Sequence, residues 1–187
     1  MHPDYYMGYY FLGYAYLNLG LYTKAKLTWE DFMDLSDDES LADLDAEDQT
    51  NDQKEERLEL RKEIQERLYQ LDEPVVIEKG VNQILSGDFQ GGTETLSRYT
   101  EGRYKNWWPM WYYLGIAAAS MGQAEEAAAH YKKALVLSPS NVDVMKELVQ
   151  LYEATGDEVN ADKYRKKIQI VGMNIEAEGA DNAVEVE

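Results

Sequence analysis

The stretch WYYLGIAAASMGQAEEAAAHYKKALVLSP, residues 111–139, restricts the fold more than any other part of the chain. Trp111, Leu114, Ile116, Ala117 and Ala118 recur at helical spacing, and so do Ala127, Ala128, Tyr131, Ala134, Leu135 and Leu137. Gly122 separates the two sets, where a helix end needs a left-handed residue. Pro139 follows the second set and cannot continue a helix. The pattern predicts two helices folded back on each other. Gly115 and Ala127 are expected where the axes approach most closely, with Trp111 and Tyr131 filling the wider gaps beside them. Burying one such aromatic contributes about 2–3 kcal/mol.

This spacing, W-x2-L-G…G…A-x3-Y-x2-A…P, resembles the tetratricopeptide repeat, a helix–turn–helix unit of about 34 residues. With Trp108 as the first position, Trp111, Leu114, Gly115, Ala127, Tyr131, Ala134 and Pro139 fill the signature, and only Ala118 stands where a large aromatic is usual. One period later, Met145, Leu148, Val149, Tyr152, Gly156, Ala161 and Ile168 match again. There Arg165 replaces an apolar residue and Met173 replaces the proline, which marks a terminal unit with a more polar outer face. At the N-terminus Tyr9, Leu12, Gly13, Tyr16, Gly20, Ala25, Trp29 and Phe32 match as well. Between these lies a divergent unit carried by Gly80, Gly92, Leu96 and Tyr99, with Gly87-Asp88 as its break and Pro74 opening it as Pro109 opens the next.

The resemblance implies an all-α, right-handed superhelical solenoid of antiparallel helix pairs, with about four hairpins. The expected organisation is an N-terminal hairpin over residues 1–35, an insert over 36–72, three hairpins over 73–171 and an acidic disordered tail over 172–187. Within the insert, Leu60, Ile64, Leu68 and Leu71 share one face and predict a helix over 52–71. Its first half offers only Leu41 and Leu44 against the entropy of ordering, so an acidic loop is expected there, with a decayed repeat as the alternative.

Charge narrows the function. The net charge is −18, and residues 34–56 alone hold eleven acids and one lysine. Such a chain lacks the accumulated positive surface that phosphate binding requires, so nucleic acid is not an expected partner. No apolar run reaches the length that spans a bilayer, and the N-terminus lacks the basic region and cleavage site of a signal peptide. There is no cysteine, which excludes disulfides and thiolate metal sites and agrees with the cytoplasm as the expected location.

The chemistry of catalysis is thinly represented. The two histidines, His2 and His130, stand far apart, and no zinc-protease, phosphate-loop or dinucleotide motif occurs. Asp43, Asp45 and Glu47 invite a calcium reading but lack the loop glycine and closing glutamate of an EF-hand. We therefore expect no catalytic residue, no metal and no cofactor.

What remains is surface. The resemblance places the non-core positions of each first helix on the concave side. These positions make Met7, Tyr10, Tyr14, Leu17, Ile77, Val81, Tyr112, Ile116, Lys146 and Gln150 the expected groove for a peptide or helix. The competing reading packs the tyrosines against the inserted helix. Trp107 and Trp108, in the aromatic cluster RYKNWWPMWYY, are hot-spot candidates wherever they are exposed. The basic clamp by which some family members hold a peptide carboxylate is absent, since Tyr10 and Tyr14, or Tyr112 and Ile116, occupy its positions. The expected function is a non-enzymatic adaptor or scaffold with a protein or peptide partner. The alternative is self-association into a homo-oligomer.

Overall fold

The computed structural model describes residues 5–37 and 51–184. Among the described residues all regular structure is helical: α1 Tyr5–Asn18, α2 Tyr22–Leu35, α3 Asn51–Gln70, α4 Asp72–Leu85, α5 Phe89–Ser97, α6 Trp108–Ser120, α7 Ala124–Leu137, α8 Val142–Thr155 and α9 Glu158–Val184. The acidic loop expected around Leu41 and Leu44, and the calcium reading of Asp43, Asp45 and Glu47, lie outside the described residues. The fold is an all-α helical repeat.

Four turns close the helix pairs, at Gly20, Gly87, Gly122 and Gly156, and these are the described residues with positive φ. Each turn uses the same two backbone bonds. At Gly122 the glycine N–H donates to Ala119 O at 3.0 Å and Gln123 N–H donates to Ala118 O at 2.9 Å. This paired closure satisfies two carbonyls that the helix end leaves open, and it needs a residue that tolerates φ near +76°.

The chain divides into two compact units, Met1–Lys79 and Gly80–Glu187, with the division inside α4. In the first unit α1 pairs with α2, and α3 packs on α2. Ala25, Trp29, Phe32, Ile64 and Leu71 are its buried core, with Tyr6, Tyr10, Tyr14, Leu60 and Leu68 packed around them. Ile64 at the centre of α3 is fully buried, so the predicted apolar face of the inserted helix has found its partner.

In the second unit α5 packs on α6, α6 on α7, α7 on α8, and α8 on α9. Its core runs through Ala118, Ala127, Tyr131, Ala134, Val144, Met145, Leu148, Tyr152, Ala161 and Tyr164. Gly115 and Ala127 are both buried as expected, but the Tyr131 ring itself lies over Gly115, 2.5 Å from where a Cβ would stand. Trp111, expected in the core, is only half-buried. Its indole N–H donates to Lys105 O at 2.8 Å, and its ring lies 5.8 Å from the His130 ring.

Two helices depart from the expected lengths. α5 ends at Ser97 and leaves Tyr99 outside it. Two glycines and three hydroxyl residues make this nine-residue segment a weak helix former, and Thr95 Oγ1 and Ser97 Oγ donate back to the carbonyls of Gly91 and Thr93. α9 continues to Val184, through most of the stretch expected to be a disordered tail. That stretch carries acids and few apolar residues, but it contains no proline and is rich in Ala and Glu.

Candidate functional site

The structure separates the expected groove residues into two settings. In the first unit, Met7, Tyr10, Tyr14 and Leu17 are half-buried on α1. The two tyrosines are already engaged. Both hydroxyls donate to the Glu63 carboxylate of α3, Tyr10 to Oε2 at 3.0 Å and Tyr14 to Oε1. The rings meet edge to face at 5.2 Å, and the Arg67 guanidinium lies 5.9 Å from the Tyr14 ring centre. The Tyr14 and Tyr10 hydroxyls hold the Glu63 carboxyl below its usual pKa, with Arg67 acting in the same direction against the opposing effect of burial. Burial and the facing carboxylate push both tyrosine hydroxyls up. This part of the expected groove is therefore the seat of the inserted helix. Ile77 does not line a groove either: it is 3% exposed.

Next to Glu63 the inserted helix makes a second attachment, and the helix that follows it makes two more. Arg61 donates to Met33 O and, at 2.7 Å, to Ser36 Oγ, tying α3 to the C-terminus of α2. Lys26 on α2 pairs with Asp72 at 2.9 Å, and Glu78 accepts from Thr23 N–H at 2.6 Å and Thr23 Oγ1 at 2.8 Å. A carboxylate there also suits the positive end of α2.

In the second unit the corresponding face is open to a larger degree. Val81, Tyr112 and Ile116 are half-buried, while Lys146 and Gln150 are exposed. Trp108 is half-buried, with its ring centre 6.2 Å from that of Tyr112, which lies 6.1 Å from Tyr131. Trp107 is exposed at the N-cap of α6. These rings form a ladder from the start of α6 into the core.

Two carboxylates of α8 accompany the ladder. Asp143 pairs with Lys146 at 3.3 Å. Glu147 is half-buried, and among the described residues no cation pairs with it. Burial, reinforced by Asp143, pushes its carboxyl pKa up. The pKa values of Tyr112 and Tyr131 are raised first by burial and then by Glu147. Sequence reasoning missed Glu147, because its register position is neither core nor a named groove position. The absence of a base three or four residues to either side was the signal available; the tyrosines beside it come from other helices and are brought there by the fold.

Among the described residues no group of three or more His, Asp or Glu is placed to hold a metal. Among them, too, no helix is long and apolar enough to cross a membrane. His130 packs on Trp111, and burial lowers its pKa against the opposing pull of Glu126, which lies 3.6 Å away.

Comparison with known proteins agrees with the helical-repeat fold. Residues 108–141 match a family model described as tetratricopeptide repeat, and residues 8–36 match a second model of the same description. A solved structure titled MamA AMB-1 superposes with a TM-score of 0.53 at 19% identity, over 87% of this chain and 88% of that one. A curated relative, "Probable biofilm formation methyltransferase WspC" of Pseudomonas putida, is 28% identical over 105 residues. The match takes in 52% of this chain but only 25% of that protein's length.

Proposed function

We propose that this tetratricopeptide repeat protein is a non-enzymatic scaffold whose second unit binds a peptide or helix bearing a basic side chain beside an apolar one. Proteins of this repeat class serve protein–protein interaction, and the fold and family matches support that general role. The observation that carries the finer reading is Glu147: a half-buried carboxylate with no cation paired to it among the described residues, beside the Tyr112 ring. A Lys or Arg from a partner would neutralise it and lie against aromatic faces that attract cations. Trp108 and Ile116 offer apolar area on the same helix as Tyr112. The net charge of −18 favours encounter with a basic partner.

The test uses synthetic amphipathic peptides with one apolar stripe and either Lys or Glu on the flanking positions, measured by calorimetry on the full chain. The reading expects the Lys peptides to bind and the Glu peptides not to. Tyr112→Ala and Glu147→Gln should each weaken binding about tenfold or more. Equal binding of both peptide classes, or binding untouched by either substitution, overturns it.

A further inference from the structure

We infer that α7 and α9 present a second docking surface, which takes a partner protein's segment of Asp or Glu residues flanking apolar side chains. It is independent of the peptide site proposed around Glu147. Lys132, Lys133 and Val136 on α7 recur one 34-residue period later as Lys166, Lys167 and Ile170 on α9. All six side chains are exposed, Val136 by 72% and Ile170 by 54%. In each helix the apolar residue lies one turn beyond the lysine pair. Val136 is exposed although α8 and α9 follow it, so this face stays open inside the array as well. The repeat fold does not require the lysines. At the same positions the first hairpin carries Glu30 and Asp31, and the divergent one Ser97 and Arg98.

The two sets of lysines meet over one pair of rings. Tyr152 of α8 and Tyr164 of α9 stack with their centres 6.1 Å apart and their planes at 10°. Lys132 Nζ stands 5.6 Å from the Tyr152 ring centre, and Lys163 and Lys167 Nζ stand 5.9 and 5.2 Å from that of Tyr164. The neighbouring carboxylates are engaged elsewhere. Glu153, Glu158 and Asp162 all pair with Arg165, and Asp157 accepts from the backbone and side-chain N–H groups of Asn160. Among the described residues no carboxylate comes within ion-pair distance of Lys132, Lys133, Lys163, Lys166 or Lys167.

Complementarity selects the occupant. Ammonium groups without counter-ions call for anions, and Val136 and Ile170 call for apolar side chains set among them. An acidic segment bearing leucine-like residues supplies both. A nucleic acid would offer phosphates but leave Val136 and Ile170 uncovered, and its dense charge would be repelled by the rest of a chain at −18.

The experiment is fluorescence anisotropy of a labelled synthetic peptide, glutamates with two spaced leucines, titrated with the full chain. The peptide should bind, and binding should weaken at least about tenfold from low to high salt. Serines in place of its leucines should cost about tenfold as well. The variant Lys132→Gln/Lys133→Gln/Lys166→Gln/Lys167→Gln should bind at least about tenfold more weakly, with circular dichroism unchanged because all four side chains are exposed. Val136→Ser/Ile170→Ser should weaken binding about fivefold without touching any charge. Absence of binding, or binding indifferent to both variants, overturns the inference. So does tighter binding of a single-stranded oligonucleotide or of phosphatidylserine vesicles, which would make the face a general anion surface. Wild-type dimers in sedimentation velocity that the lysine variant abolishes would assign the face to this chain's own acids and overturn the reading of a separate partner.

Discussion

A Cβ built on Gly13 would stand 2.0 Å from Nε1 of Trp29. The backbone of α1 comes so close to α2 here that the indole takes the place of a side chain, and the indole N–H donates to Tyr10 O at 3.2 Å. Trp29 is fully buried and cannot swing aside. In a free helix Gly→Ala gains about 1 kcal/mol. At Gly13 overpacking opposes that gain, so Gly13→Ala should lose about 1–3 kcal/mol in urea unfolding. Gly115→Ala should lose a similar amount against Tyr131. Gly172→Ala, with nothing within 4 Å, should instead gain up to about 1 kcal/mol. Equal effects at all three positions would show that the close approaches do not govern stability.

These glycines also show what a sequence makes legible. Gly20, Gly87, Gly122 and Gly156 could be read as turns because a left-handed residue closing a helix leaves few other choices of side chain. The repeat register followed from them. The seat of α3 could not be read in the same way. Ile64 announced a buried face, but the surface that buries it is set by contacts across the fold and not by local spacing. Glu63 in sequence looks like any solvated acid on a charged helix, and only the folded chain brings two tyrosine hydroxyls to it. Arg165 was the reverse case. Its misfit with the repeat pattern was visible, and the structure explains it by contacts with Glu153, Glu158 and Asp162.

Glu63 makes the seating of α3 dependent on pH. Its carboxyl pKa is lowered in the folded chain, so its contribution is present above the pKa it has when unfolded and is lost as pH falls through the folded value. Other acids titrate in the same window, so the useful quantity is the difference between wild type and Glu63→Gln. That difference should be largest near neutral pH and shrink as the solution is made acidic. A Tyr10→Phe/Tyr14→Phe variant should shrink it at all pH values. A difference that stays constant from neutral to strongly acidic pH would mean the carboxylate is not what the tyrosines hold.

Arg61 ties α3 to α2 through the Met33 carbonyl and the Ser36 hydroxyl, and Ser36 is fully buried. Replacing the guanidinium by Leu leaves both acceptors without this donor. Arg61→Leu should lose about 1–3 kcal/mol. Hydrogen exchange should accelerate in α3 and at the end of α2 before it does in α6–α9. Uniform acceleration across the chain would place the loss in global stability and not in the docking of this helix.

Glu147 links stability to binding. Its folded pKa is raised, so the folded chain binds a proton more tightly there than the unfolded chain does. Its charged form therefore opposes folding at neutral pH, and that opposition fades as pH falls through the raised value. Glu147→Gln keeps the shape and removes the charge. It should raise stability at neutral pH by less than about 1 kcal/mol, because the group is partly solvated. The gain over wild type should vanish in acid, where wild type is protonated too. The same variant is the one expected to lose the Lys peptide. Both outcomes together would support the proposed binding of a cationic partner. If Glu147→Gln instead destabilises the free chain at neutral pH, the carboxylate makes a contact that stabilises the fold, and the case for a cationic partner falls with it.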